Sequence, residues 1–196
     1  MSLTRNAATA GRPRVIAACA LSWDGRLLET RLPARIDAVV SDSCECRLKA
    51  PIRVLFDMAG RIGAKAGFFR DPAGRVIVYA AAAHSSLAGM PRAQLHCRKD
   101  WSPARMLRHL RAHHGIDRLA LAAGPGLFRR FAIEGFLDEL QVTWQPRIAG
   151  GSPEGPLTGM EPAFFPRGIA FELFRLRRGA RECTAIYRIR NPACYE

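Results

Sequence analysis

Lysine is nearly missing from this chain. Only Lys49, Lys65 and Lys99 occur among 30 basic residues, so the other 27 are arginines. Long apolar runs are missing too. The longest, Val76 to Ala83, has the length of a strand and falls far short of the ~18 residues of a membrane helix. Met1 to Arg14 holds no apolar core segment, which argues against a secretory signal. No Gly-Lys-Ser/Thr follows the glycine turn at Gly124 to Gly126, so that turn is not a P-loop, and it lacks the spaced glycines of a full dinucleotide fingerprint. Cys44-x-Cys46 has no second close pair except His96-Cys97, so an incidental pair of thiols is expected there and no metal site.

What is present reads as a globular chain of 196 residues, 48% apolar and 24% charged. One domain over residues 12–196 is expected, behind a flexible N-terminal tail at 1–11, with no internal repeat and no clear linker. The net charge of +13 is spread along the chain in pairs such as Arg129-Arg130 and Arg177-Arg178. Nucleic acid is therefore not the expected partner, and an arginine-rich composition of this kind follows from a GC-rich genome alone. The field suits a phosphorylated cofactor or small-molecule substrate. Six cysteines in a domain of this size imply reduced thiols and a cytoplasmic protein.

Periodicity places the elements. Arg14 to Ser22 is a near-continuous apolar run and predicts a buried strand. SWDGRLLETRLPA follows as a loop with its turn at Asp24-Gly25. Ile36 to Ser41, Ile52 to Asp57 and Arg75 to Ala80 read as strands, and Gln94 to Cys97 as a short edge strand. Ser102-Pro103 predicts a helix start and Gly115 its stop, with Met106, Leu107 and Leu110 inward and Arg105, Arg108, Arg111 and His113 solvated. Asp117 to Ala122 is the next strand. Gly-Pro-Gly then opens a second helix, with Leu127, Phe128, Phe131 and Leu137 buried. Asp138 to Gln145 is a strand, Gly150 to Phe165 a loop, and Ile169 to Leu176 with Thr184 to Ile189 a closing hairpin. This order predicts an α/β fold with a mixed sheet.

His109, His113 and His114 share the Ser102 helix, with His109 and His113 on one face; a solvated histidine face is expected among so many arginines. Trp23, Trp144 and Phe164-Phe165 are expected in the core or a lid, Trp23 also being placed to border a ring substrate. The strand, glycine turn and helix start at Leu121 to Phe128 make an anion site, because unpaired amides at a helix N-terminus face a ligand and glycine allows close approach.

The order of motifs resembles a known family. Arg12-Pro13, the strand ending at Ser22-Trp23-Asp24-Gly25, Asp37-Ala38-Val39-Val40, Arg53-Val54-Leu55-Phe56-Asp57, Gly124-Pro125-x-Leu127, Gly135-Phe136-Leu137-Asp138-Glu139-Leu140 and Pro146-x-x-x-Gly150-Gly151 are similar to the reductase domain of riboflavin biosynthesis. The resemblance runs from about Arg12 to Arg190. It implies a dihydrofolate-reductase-like fold, mostly parallel with flanking helices and an antiparallel hairpin at the end. It also implies a homodimeric, NADPH-dependent oxidoreductase acting on a pyrimidine ribosylamine phosphate, with a pterin-type reductase or a non-catalytic binder as alternatives. Carried over by position, Ala123, Gly124, Pro125, Gly126, Leu127, Ser41 and Ser43 would contact the cofactor. Ser22, Trp23, Asp24, Gly25 and Asp42 would border the substrate, and Asp138 and Glu139 would be structural. Two departures stand out: Glu-Gly-Gly of the family has become Ala122-Ala123-Gly124, and only Ser41 to Pro51 replaces a Gly-x-Gly-Thr turn and helix.

Overall fold

The structure is a computed structural model that describes residues 11–28, 32–42, 50–61, 63, 69, 74–83, 93–149 and 170–189. Its contacts divide the chain into two units, one of residues 1–14 and 35–119, the other of residues 15–34 and 120–196.

In the first unit β3 (Ala38–Ser41), β4 (Ile52–Asp57), β5 (Arg75–Ala80) and β6 (Ala93–Cys97) pair in parallel, in that order. Covered on both faces, β3 to β5 can be apolar at nearly every position, which is why their sequences run without alternation. Leu55, Val76, Val78 and Ala80 form a buried cluster against Phe69, Ala93 and Leu95. β6 ends the strand order and is half-buried or exposed along its length, as an edge strand should be. Helix α1 (Pro103–His114) begins where Ser102 Oγ accepts the amide of Arg105 at 3.3 Å, with Pro103 in the first turn. It stops at Gly115, whose φ of +64° is open to glycine at little cost. Met106, Leu107 and Leu110 are fully buried, each stabilising the unit by about 1.5–3 kcal/mol.

In the second unit β1 (Arg14–Leu21) runs parallel to β8 (Glu139–Trp144). β10 (Cys183–Ile189) lies antiparallel on β8 and pairs with β9 (Phe171–Arg178) as the closing hairpin, which carries a bulge at Ile186/Tyr187. Strand β7 (Arg118–Leu121) leads into α2 (Pro125–Ile133), and α2 into β8. Cys19, Leu21 and Val142 pack with Leu140 and Tyr187. Burial raises the Cys19 thiol to about 12, so it is an inert core group. The architecture is thus the mixed, mostly parallel sheet with helices and a terminal antiparallel hairpin that the motif order predicts.

Four local expectations change. Leu27–Leu28, read as loop, forms a short strand β2 antiparallel to Ala20 and Leu21, because Gly25 at φ +76° turns the chain straight back. Helix α2 stops at Ile133, ahead of Gly135 at φ +72°, so Leu137 is buried from the connection rather than from the helix. Of the core-or-lid reading of Trp23 and Trp144 the core half fails: they are 75% and 38% exposed, and the buried indole is Trp101. The histidines of α1 are only partly a solvated face: His113 is exposed as expected, but His109 and His114 are half-buried and pack against other rings. The expected tail at 1–10, loop 150–165 with Phe164-Phe165, Ser43, and Cys44-x-Cys46 lie outside the described residues. Among the described residues no helix is long and apolar enough to cross a membrane.

Two aspartates set the strand starts. The amide of Asp37 donates to the Arg118 carbonyl at 3.0 Å, and its Oδ2 accepts the amides of Arg118 and Asp117 at 2.8 and 2.9 Å. Asp138 does the same for Val15: its amide donates to the Val15 carbonyl at 3.0 Å and its Oδ2 accepts the Val15 amide at 2.7 Å. Each carboxylate replaces a ladder partner where a strand begins. Replacing Asp37 by Ala strands two amides and should lower stability by about 2 kcal/mol, or about 4–8 °C in Tm. Asp37→Asn keeps an acceptor and should lose less than half of that; a thermal melt of the two variants checks the ordering.

Candidate functional site

The turn after β1 is bonded mostly to itself. Ser22, fully buried, donates its hydroxyl to Asp24 Oδ1 at 2.5 Å and accepts the Arg26 amide at 3.0 Å. Asp24 also accepts Arg26 Nε at 3.2 Å and the Ala149 amide at 3.1 Å, which ties the turn to the segment leaving β8. The Trp23 amide donates to the Arg147 carbonyl at 2.8 Å, reinforcing the same tie. Trp23 itself projects its indole into solvent. Of the four substrate-bordering candidates in this turn, Ser22, Asp24 and Gly25 therefore shape it, and Trp23 is the side chain presented outward.

The glycine turn after β7 behaves differently. Gly124 is the N-cap of α2 in extended geometry, φ −64° and ψ 171°, with no side-chain cap. Pro125 occupies the first helical position and has no amide to donate. Gly126 and Leu127 follow, and Gly124 has no side chain with which to cap their amides. Gly126 is exposed, and a Cβ there would meet nothing within 4 Å. Ala123, half-buried, stands where the family has glycine; among the described residues Arg35 is the one non-glycine residue at positive φ, so the alanine sits in ordinary backbone. Bare amides, a helix start and missing side-chain bulk are what a phosphate needs.

Ser41 is fully buried at the C-terminal end of β3, and Asp42, half-buried, follows it. Both belong to the first unit, whereas Ser22 to Gly25 and Ala123 to Leu127 belong to the second. Each of the three motifs follows the C-terminal end of its strand, the usual place for ligands in α/β sheets. Asp138 and Glu139 are structural, as expected: Asp138 clamps Val15, and the buried Glu139 accepts Gln141 Nε2 at 2.6 Å.

A second constellation lies wholly in the first unit. His96 of β6 meets His109 and His114 of α1, with ring centroids 4.6 and 5.8 Å away, and His109 and His114 are 5.4 Å apart. Tyr79, buried on β5, stacks on His96 at 5.4 Å and bonds His109 Nδ1 through its hydroxyl at 2.9 Å. The Trp101 indole N–H donates to the His96 carbonyl at 2.9 Å. Burial pulls His109 down to about 4, with His96, His113 and His114 adding to the effect. His96 and His114 are also lowered, by burial first, then by His113 for His96 and by Arg75, His96 and His113 for His114. All three rings are therefore neutral at pH 7. The sequence signals a histidine pair on one helix, but the third ring comes from a strand edge, which helical spacing cannot reveal.

The model of the RibD C-terminal domain family matches residues 22–164. No curated protein sequence matches the chain. Among solved structures, Acinetobacter baumannii RibD is similar at a TM-score of 0.73 and 20% identity, over 93% of this chain and 59% of that one. This chain thus spans well under two thirds of that relative's length. The Saccharomyces cerevisiae riboflavin biosynthesis reductase Rib7 is similar at a TM-score of 0.65 and 13% identity, over 96% and 93%. Enterococcus faecalis dihydrofolate reductase, solved in complex with NADP(H), shares the fold at a TM-score of 0.50 and 12% identity, over 91% and 97%. The match covers residues 22–164, well over half of the sequence, and the chain belongs to the RibD C-terminal domain family.

Proposed function

We propose that this chain is an NADPH-dependent reductase acting on a pyrimidine ribosylamine phosphate or a related ring. The observation that carries the reading is the start of α2: a glycine N-cap that makes no side-chain cap hydrogen bond, and Gly126, where a Cβ would enter open space. Such a helix end favours an anion with several oxygens, and the net charge of +13 draws a phosphorylated ligand toward the protein. In this reading Ala123 to Leu127 lie along the pyrophosphate, with Ser41 and Ser43 as further cofactor contacts. The Ser22 to Gly25 turn and Asp42 border the substrate. Bound NADPH supplies the hydride. The chain supplies orientation: Ser22 and Asp24 hold the turn rigid, and Trp23 offers an indole face to a flat ring.

A homodimer belongs to the same proposal. β9 exposes Leu173, Phe174 and Leu176 by 54%, 47% and 59%, a large apolar share for one strand. Arg188 lays its guanidinium over the Phe174 ring at 3.3 Å. A cytoplasmic setting suits both NADPH and the free thiols of Cys19, Cys97 and Cys183.

Three measurements test the proposal. Titration with NADPH should quench the protein fluorescence saturably at a Kd below about 1 mM; a flat curve over that range supports a non-catalytic binder on the same fold. Gly126→Val places a branched side chain over the amides and should weaken NADPH at least about tenfold, with Tm within about 2 °C because its Cβ enters open space. Equal affinity would remove this turn from the site. Leu176→Glu should convert a dimer to a monomer in light scattering, and a wild-type monomer would refute the dimer.

A further inference from the structure

Four of the five histidines of the chain are His96, His109, His113 and His114, and three of them converge on one point. One ring nitrogen from each of His96, His109 and His114 lies within 4.8 Å of the other two. The Nε2 atoms of His96 and His114 are buried and have no hydrogen-bond partner among the described residues. His109 Nδ1 is taken by the Tyr79 hydroxyl, which leaves its Nε2. Two orphaned buried nitrogens need an explanation, since burying a polar atom without a partner is unfavourable.

We propose that His96, His109 and His114 form a binding site for one divalent transition cation of the zinc class, linking the edge strand β6 to helix α1. The donor chemistry fits: three imidazoles are borderline ligands that suit zinc, nickel, cobalt or copper and not magnesium or calcium. The surroundings fit as well. Tyr79 holds the far side of the His109 ring, the outer contact that orients a ligating histidine and fixes its tautomer. The rings sit on regular elements rather than loops, His96 on β6 and the others on α1. A tetrahedral zinc about 2.0–2.1 Å from each nitrogen needs the three about 3.3 Å apart, so small rotations of the rings close the site. Among the described residues no Cys, Asp or Glu joins the three, so water or a small anion takes the fourth position.

Positive charge nearby opposes a cation, and its arrangement softens that. Arg98 and Arg105 both pair with Asp100, Arg98 at 3.2 Å. Arg75 donates to His114 Nδ1 at 3.4 Å, a long contact that must yield when Nε2 binds a metal and the ring proton moves to Nδ1. The same Arg75 nitrogen is already 3.3 Å from Gln94 Oε1 and can turn to it. The site stands independently of the nucleotide reading, and neither result decides the other.

The test uses the full chain without an affinity tag, stripped with a chelator and titrated with Zn2+ by calorimetry. The expected result is one ion per chain with a Kd at or below about 10 µM. His96→Ala, His109→Ala and His114→Ala should each weaken it at least about tenfold, whereas Cys97→Ser should change it less than about threefold. Zinc at 100 times the Kd should raise the wild-type Tm by about 5–10 °C and leave His96→Ala unmoved, which separates lost ligation from lost folding. Co2+ in the wild type should give tetrahedral d–d absorption without a thiolate charge-transfer band, a readout that needs no variant. A wild-type Kd weaker than about 10 µM, or a loss under tenfold in any histidine variant, overturns the site.

Discussion

Each unit of this chain depends on one repeated interaction, an aspartate that precedes a strand and grips a residue at the start of another strand by both amide and carbonyl. Asp37 does this to Arg118, and Asp138 to Val15. The geometry is that of one extra rung of the ladder, with a carboxylate oxygen in place of a carbonyl. Because side chains alternate along a strand, a slip of one residue would exchange the faces on which the side chains of β1 or β7 pack, and with both faces buried their sizes would no longer fit. The clamp is charge-assisted and short, which makes the native register the favoured one. It also sets how far along the chain each strand ends, and so where the turns that follow them begin.

Those turns divide into two physical kinds. The Ser22 to Arg26 turn saturates its own polar atoms and reaches Ala149, so it is a preformed wall. The start of α2 has no cap side chain of its own: its cap is glycine and its first residue is proline. A wall that needs no ligand and a helix end with a glycine cap are the two parts on which the proposed nucleotide site rests. The loss of the family's Glu-Gly-Gly at Ala122-Ala123 is tolerable on the same grounds, because Ala123 occupies backbone open to any residue.

Much of this was legible beforehand, for definite reasons. Buried parallel strands such as β4 and β5 show as unbroken apolar runs, and α1 is bracketed by Ser102, Pro103 and Gly115, each a local signal. The motif order carried the family as well. What could not be read depends on contacts across the chain. Leu27–Leu28 has no strand pattern of its own and pairs only because Gly25 returns it to β1. Trp23 and Trp144 look like core residues by type, but their burial is set by neighbours the sequence does not name. The histidine cluster needs β5, β6 and α1 together, with Tyr79 and His96 separated from His109 by 30 and 13 positions in the chain numbering.

The central claim is that the first amides of α2 receive a phosphorylated nucleotide. Backbone amide NMR during an NADPH titration tests it at the atoms concerned. The account predicts that the Gly126 and Leu127 amides move downfield together and saturate with one binding curve, among the largest shifts in the spectrum, as new hydrogen bonds to phosphate form. Resonances at these two amides that stay in place while others titrate would contradict it.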